Sequence, residues 1–356
     1  MAIATKAVKE FEVHPYVQFM TDRYNPYRRW LEREGVPIIA GSFVADVMNV
    51  ELAPWARKGG KGALLTFSDQ QVTDAYICEI APGGQLKPMR QLYEEMVYIT
   101  SGTGATSIWY GSSPASKRTF EWEPGALFAI PLNAWYQHFN SSGTLPVRYF
   151  AQTSAPIAWE LYRDEDFIYN NSAEFRDRFD PSDDDYFTRP GEYLTEYYGG
   201  ILHANFIPDI RAINLVPREA RGKGNRNMYI HMAGGSQLAH VSRFPVGTYK
   251  KSHRHGPGAH VYTLDSTGYT LMWNEGAAPE RYDWHENSIV CPPAGTWHQH
   301  YNTGSLPCRF VAFHASTAVQ REEGGIEQIP FELEDPALRK MYVEECAKHG
   351  VQVAMD

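Results

Sequence analysis

Between residues 44 and 152 the chain is cut into short apolar runs such as Ala63-Leu-Leu-Thr-Phe67, Ala75-Tyr-Ile-Cys-Glu-Ile80, Met96-Val-Tyr-Ile-Thr100 and Ala126-Leu-Phe-Ala-Ile130. Each is too short for a stable helix and rich in β-branched or aromatic residues, so the pattern predicts strands. Gly83-Gly84, Gly102-Thr-Gly104 and Glu123-Pro-Gly125 mark the turns between them. From 153 to 205 the texture becomes acidic and aromatic, as in Asp164-Glu-Asp166 and Pro181-Ser-Asp-Asp-Asp-Tyr186, which predicts a connector wrapped onto its neighbours. Strand-and-turn texture then resumes from 206 to 316. Two helices flank this body. One has Asn25 as cap, Pro26 at its first position and Gly35 as stop; the other has Asp335, Pro336 and Gly350 in the same roles.

The two strand-rich halves repeat each other. Ile130-Pro131-Leu-Asn-Ala-Trp135-Tyr136-Gln137-His138-Phe-Asn140 parallels Pro292-Pro293-Ala-Gly-Thr-Trp297-His298-Gln299-His300-Tyr-Asn302, and Glu51–Gly62 parallels Asn214–Gly224. A period above a hundred residues is too long for a solenoid and implies duplication of a whole domain. The expected fold is all-β, two tandem antiparallel barrels with short terminal helices. Its expected parts are an N-terminal arm over 1–43, a first barrel over 44–152, a connector over 153–205, a second barrel over 206–316 and a C-terminal segment over 317–356.

A net charge of −9 removes the basic field that a phosphate backbone requires, so nucleic acid is excluded as a partner. No apolar run reaches the length of a membrane span, and Glu10, Glu12 and His14 interrupt the region a leader would occupy. The expectation is therefore a soluble cytoplasmic protein, assembled as a homo-oligomer with the arm packed on a neighbouring domain or subunit. The four cysteines are too scattered for a Cys-x-x-Cys site and read as small buried side chains.

Histidines supply the candidate chemistry. His253 and His255, two apart, project from one face of a strand, and His298 and His300 share a face forty residues later. Clustered imidazoles on strands point to a metal such as iron, copper, nickel or zinc. The stretch from Gly247 through His253 and His255, with Pro293, Gly295, His298 and Asn302, resembles the two motifs of the cupin superfamily, G(X)5HXH(X)3-4E(X)6G and G(X)5PXG(X)2H(X)3N. The whole chain resembles a bicupin. The resemblance implies a metal in the mouth of the second barrel, held by His253, His255 and His298, with His260 in the place of the usual carboxylate. Asn287 stands in the place of the opening glycine of the second motif. The first copy has Met89, Gln91 and Tyr136 at the histidine positions and Glu95, or Glu94, near the carboxylate position. That set suits no divalent ion, so the first barrel is expected to be metal-free. Because His138 holds the place of His300 in that copy, His300 reads as a buried, hydrogen-bonded histidine more readily than as a ligand.

The His253-Arg254-His255 triplet and the Trp297–Asn302 segment further resemble gentisate and hydroxynaphthoate dioxygenases and other all-histidine cupin dioxygenases. The resemblance implies one divalent metal, iron(II) first and zinc, manganese or nickel as alternatives. It also implies dioxygen and a small hydroxylated aromatic acid, enol or diketone as substrates, with cleavage of a carbon–carbon bond. Metal-dependent isomerase, lyase or hydrolase chemistry, and a non-catalytic small-molecule binder, are the alternative readings. Tyr249, Trp273, Trp297, His300, Arg243 and Arg309 are the expected substrate-pocket residues. His231, His240, His285 and His314 read as structural.

Overall fold

The computed structural model describes residues 15–67, 72–111, 116–197, 199–256, 258–315 and 325–355. Residues 1–14, which bear on the reading that the chain has no leader, lie outside the described residues, as do 316, the last residue of the expected second barrel, and 317–324 of the expected C-terminal segment. Each half forms a two-layered barrel. In the first, the larger sheet runs Gly60–Phe67, Asp74–Ile80, Val147–Thr153, Glu95–Ser101, Leu127–Ile130, and faces the smaller sheet Trp135–Asn140, Gly104–Trp109, Arg118–Trp122. The second repeats this order as Arg226–His231, Leu238–Phe244, Cys308–His314, Ala259–Asp265, Ile289–Val290, facing Glu280–Trp284, Gly268–Trp273, Trp297–Asn302 and His253–Arg254.

The larger sheets of the two barrels lie back to back. Leu65, Ile77, Tyr98 and Phe150 from the first form one core with Met228, Val241, Tyr262 and Phe313 from the second. Strands of these sheets are therefore covered on both faces, which is why they read as continuous apolar runs. Segments also cross over. Phe43–Val44 pairs antiparallel with Ile289–Val290 of the second barrel, and Phe206–Ile207 with Leu127–Phe128 of the first. Each barrel thus borrows a strand from the segment preceding the other.

The duplication extends to single side chains. Gly104 and Gly268 both lie where a Cβ would meet a backbone carbonyl, Phe139 O or Tyr301 O, and a tryptophan, Trp122 or Trp284. The asparagines Asn140 and Asn302 each donate their amide to carbonyls across a turn, to Ile80, Ala81 and Leu145 in one copy and to Pro245 and Leu306 in the other. Asn287, in the place of a motif glycine, has φ of 69°, a left-handed conformation that asparagine tolerates.

Helix caps fall where the residues place them. The Asn25 side chain accepts from Arg28 N at 2.8 Å and opens the helix Pro26–Arg33, while a further helix, Pro15–Tyr24, precedes it. Asp335 opens Pro336–Lys348. The connector is more regular than its composition predicts, with helices at Ala155–Tyr162 and Glu165–Asn170, and Trp159 stacks on Trp30 with ring centroids 5.6 Å apart. All four cysteines are free and buried. Among the described residues no helix is long and apolar enough to cross a membrane.

Candidate metal centre

His253 and His298 face each other across the pairing of His253–Arg254 with Trp297–Asn302, with ring centroids 4.1 Å apart. His300, two residues on and therefore on the same face as His298, completes a buried trio whose ligand atoms lie within 4.8 Å of one another. His255 stands at its edge, its ring 5.1 Å from that of His298 and 5.8 Å from that of His253.

Hydrogen bonds decide which nitrogens are available. His253 Nδ1 donates to Lys251 O and His298 Nδ1 to Thr296 O, each at 2.9 Å. A carbonyl only accepts, so the proton of each neutral ring is on Nδ1 and the Nε2 lone pair is left for a ligand. His300 is held differently: its Nδ1 meets Thr270 Oγ1 at 2.8 Å, and that hydroxyl accepts from Trp284 Nε1 at 3.1 Å. The first barrel keeps the same chain, His138 Nδ1 to Thr106 Oγ1 at 2.7 Å and Trp122 Nε1 to Thr106 Oγ1 at 2.8 Å. The reading of His300 as a hydrogen-bonded buried histidine agrees with this wiring, but the ring also stands within the cluster.

Burial is the main force holding His253, His298 and His300 well below the ordinary histidine range, followed by Arg221 for His253, His255 for His298 and Lys250 for His300. Neutral imidazole is the form that binds a metal, so the donor set fits a divalent ion of borderline softness.

His260 is not part of this cluster, contrary to expectation. Its neighbours Ala259 and Val261 line the cavity, and strand alternation turns His260 to the opposite face, into the core between the barrels. There its ring lies 5.1 Å from that of Phe67, and Gln152 Nε2 is 3.3 Å from its Nδ1. The registers show what occupies the carboxylate position instead. Glu95 lies opposite Thr153 and Ala259 opposite His314, the matching ends of matching strands, so Ala259 is the counterpart of Glu95. In the first barrel Glu95 accepts from Tyr76 Oη at 2.6 Å and lies 3.9 Å from the buried Lys58 ammonium, while Met89 is paired with Tyr136.

The histidines open onto a cavity of about 260 Å³ between the two sheets of the second barrel. Of the expected pocket residues, only His300 lines it. Tyr249 and Trp273 lie outside, in the aromatic cluster beneath the C-terminal helix with Tyr301 and Tyr342. Trp297 is covered by the Arg254 guanidinium at 4.6 Å. Arg243 and Arg309 are cross-strand partners on the outward parity of strands that turn Ser242 and Phe310 inward. The Arg309 guanidinium is engaged by the carbonyls of Ile210 and Ile213.

In their place the cavity holds residues that were read as structural or passed over: His240, His314, Lys250, Arg218 and Arg221. His240 Nδ1 and His314 Nε2 are 2.6 Å apart, so one proton lies between two rings. Burial holds both low, His314 at about 3. Lys250 donates to Ser242 Oγ at 2.8 Å and lies 4.2 Å from the Phe310 ring centroid. Burial, then Arg221, pulls it well below the ordinary lysine range. Strand alternation was the available signal for His240 and His314, since each shares parity with small or apolar inward residues.

No protein-family model and no curated protein sequence matches the chain. Solved structures do. A variant of oxalate decarboxylase from Bacillus subtilis superposes with a TM-score of 0.51 at 8% identity, over 86% of this chain and 84% of that one. A structure from work on the Mn(II) centres of the same enzyme gives 0.51 at 9% identity with the same coverage. At such identity the likeness speaks for the fold alone, and with the duplicated barrels and their motifs it identifies this chain's architecture as a bicupin, two cupin barrels in tandem.

Proposed function

We propose that this bicupin is a metal-dependent enzyme that cleaves a carbon–carbon bond of a small organic molecule in the second-barrel cavity, with His253, His255, His298 and His300 holding one divalent ion. The observation that carries the reading is the pair of carbonyl-anchored imidazoles, His253 and His298, whose Nε2 atoms are left as acceptors within a buried histidine cluster. A divalent ion bound there supplies Lewis acidity and, as iron(II), the redox chemistry that dioxygen requires.

The protein's own groups do the rest. Ala259, Val261, Phe310 and Ala312 supply the apolar part of the cavity wall. The His240–His314 contact holds a proton between Nδ1 and Nε2 and is the acid–base pair nearest to hand, since no carboxylate lines the cavity among the described residues. Oxidative cleavage of a hydroxylated acid, enol or diketone is the first form of this reading. A redox-neutral lyase is the second, favoured by the fold shared with a decarboxylase studied for its Mn(II) centres.

Metal analysis of the purified protein, followed by oxygen uptake with iron(II) or manganese(II) restored, tests both. Substrate-dependent oxygen consumption restored by iron(II) alone supports the dioxygenase. Product formation without oxygen selects the lyase. A His298→Ala protein that keeps a full equivalent of metal overturns the proposal.

A further inference from the structure

The first barrel carries a cation of its own at the place where the second gathers its histidines. Met89 pairs with Tyr136 as His253 pairs with His298, and Glu95 stands where Ala259 stands. Met89, Tyr136 and Glu95 therefore mark three of the ligand positions of a cupin barrel, and Gln91, two residues after Met89, marks the fourth. Lys58 reaches into the middle of them from the turn before Gly60–Phe67, its side chain only 2% exposed. Its Nζ lies 3.2 Å from Tyr136 Oη, 3.8 Å from Met89 Sδ and 3.9 Å from Glu95 Oε2. It also donates to Tyr76 Oη at 2.8 Å, and that hydroxyl donates to Glu95 Oε1 at 2.6 Å. Gln91 Nε2 donates to the other Glu95 oxygen at 3.4 Å. An ammonium has three protons to give, and Tyr76, Tyr136 and Met89 are three acceptors, with Glu95 as counter-charge.

The second barrel is arranged otherwise. The bond from Lys87 N to Lys58 O recurs as Lys251 N to Arg221 O, so Arg221 is the counterpart of Lys58. Arg221 gives Nη1 to Gln328 Oε1 at 2.9 Å, and histidines stand at the positions of Met89 and Tyr136. We propose that the Lys58 ammonium is the resident cation of the first barrel, occupying the metal position among Met89, Gln91, Tyr136 and Glu95 and closing that barrel to metal. The first barrel is in these terms a site for a primary ammonium ion, filled by the chain itself. A chelator cannot remove this cation, so the first barrel keeps its interior charge balance whether or not metal is supplied.

Lys58→Ala deletes a propylammonium group, which defines the probe. The full-length variant is expected to melt about 5–10 °C below the parent chain, because Glu95 is left as a buried charge without its partner. Propylammonium chloride restores most of that loss, and propanol or tetramethylammonium chloride at the same concentration does not. Where Lys58→Ala does not fold unaided, the refolding yield with each probe replaces the melt as the readout. Lys58→Met with Glu95→Gln melts above Lys58→Met alone, since the orphaned charge is gone. Zinc counting tests the closure: Met89→His with Tyr136→His takes up no zinc beyond that of the parent chain, and one further equivalent once Lys58→Ala is added. His298→Ala, which empties the second-barrel centre, leaves the propylammonium rescue unchanged, so this inference and the proposed function fail independently. A folded Lys58→Ala protein that melts like the parent, or that responds equally to propanol, overturns the resident cation. Extra zinc bound beside an intact Lys58, or none bound by the folded variant that lacks it, overturns the closure.

Discussion

The chain of tryptophan, threonine and histidine occurs in both barrels but has further histidines clustered around it in only one, so a paired substitution separates its two roles. Thr106→Val and Thr270→Val each leave an indole N–H and an imidazole Nδ1 without their partner, and each is expected to cost about 1–2 kcal/mol in a urea titration. Thr270→Val alone is expected to weaken metal binding about tenfold, because an outer partner orients the ring that binds. Equal metal affinity in the two variants would leave His300 as a structural histidine. Two other buried histidines give the protein an acid sensitivity. Burial, with Lys58 adding to it for His138, holds His138 and His260 at about 3 in the folded chain, against 6.5 unfolded. Between those values the unfolded chain binds more protons, so stability falls as pH drops below about 6.5, by about 1.4 kcal/mol per pH unit for each group. His240, His253, His298, His300 and His314 are held low as well, so urea midpoints are expected to fall between pH 7 and 5 at least that steeply, and His138→Gln to remove one group's share. At this scale the two-residue spacing of a strand was enough to bring His253, His298 and His300 together with His255 at their edge. The error at His260 came from spacing. Three residues separate Gln91 from Glu95 and His255 from Ala259, so equal loop lengths pointed to Ala259, whereas the four-residue spacing that reaches His260 crosses to the other face of the strand.

Elements were legible where a period or a cap announces them. Alternation and glycine turns mark the strands, and the Asn25 and Asp335 caps with their following prolines mark two helices. The exchanged strands Phe43–Val44 and Phe206–Ile207 were not legible, because two residues carry no period and their partners are distant in sequence. Lys250 and Arg221 were missed for a related reason: the first precedes its strand and the second ends the single 3-10 turn Glu219–Arg221, so neither has a strand parity to read. The link between barrels also depends on a loop residue. Glu94 accepts from Ser236 N at 2.8 Å, Gln237 N at 2.9 Å and Arg178 Nη1 at 2.9 Å, tying the first barrel and the connector to a turn of the second. Glu94→Ala leaves two amides and a guanidinium without their acceptor and is expected to lower stability by about 3 kcal/mol, with Glu94→Gln intermediate. Guanidinium midpoints check both.

For the whole molecule, the shared core makes the barrels one cooperative unit. Phe150 of the first barrel packs edge-on against Tyr262 and tilted against Phe313 of the second, at 5.7 and 5.1 Å between centroids, and each barrel's larger sheet is completed by a strand from the segment preceding the other. Opening either barrel alone would expose that apolar face of both, which costs more than the few kcal/mol separating folded from unfolded states. Metal bound in the second barrel is therefore expected to protect the first. At a free-ion concentration one hundred times the dissociation constant, a single site stabilises the fold by about 2.7 kcal/mol, or roughly a hundredfold slower exchange of amides that open only with global unfolding. Hydrogen exchange of Asp74–Ile80 and Leu238–Phe244, matched central strands of the two barrels, measures this directly. Equal slowing of both strands on adding metal is the expected result. Slowing confined to Leu238–Phe244 would mean that the barrels open separately and that the core between them does not couple the metal centre to the rest of the chain.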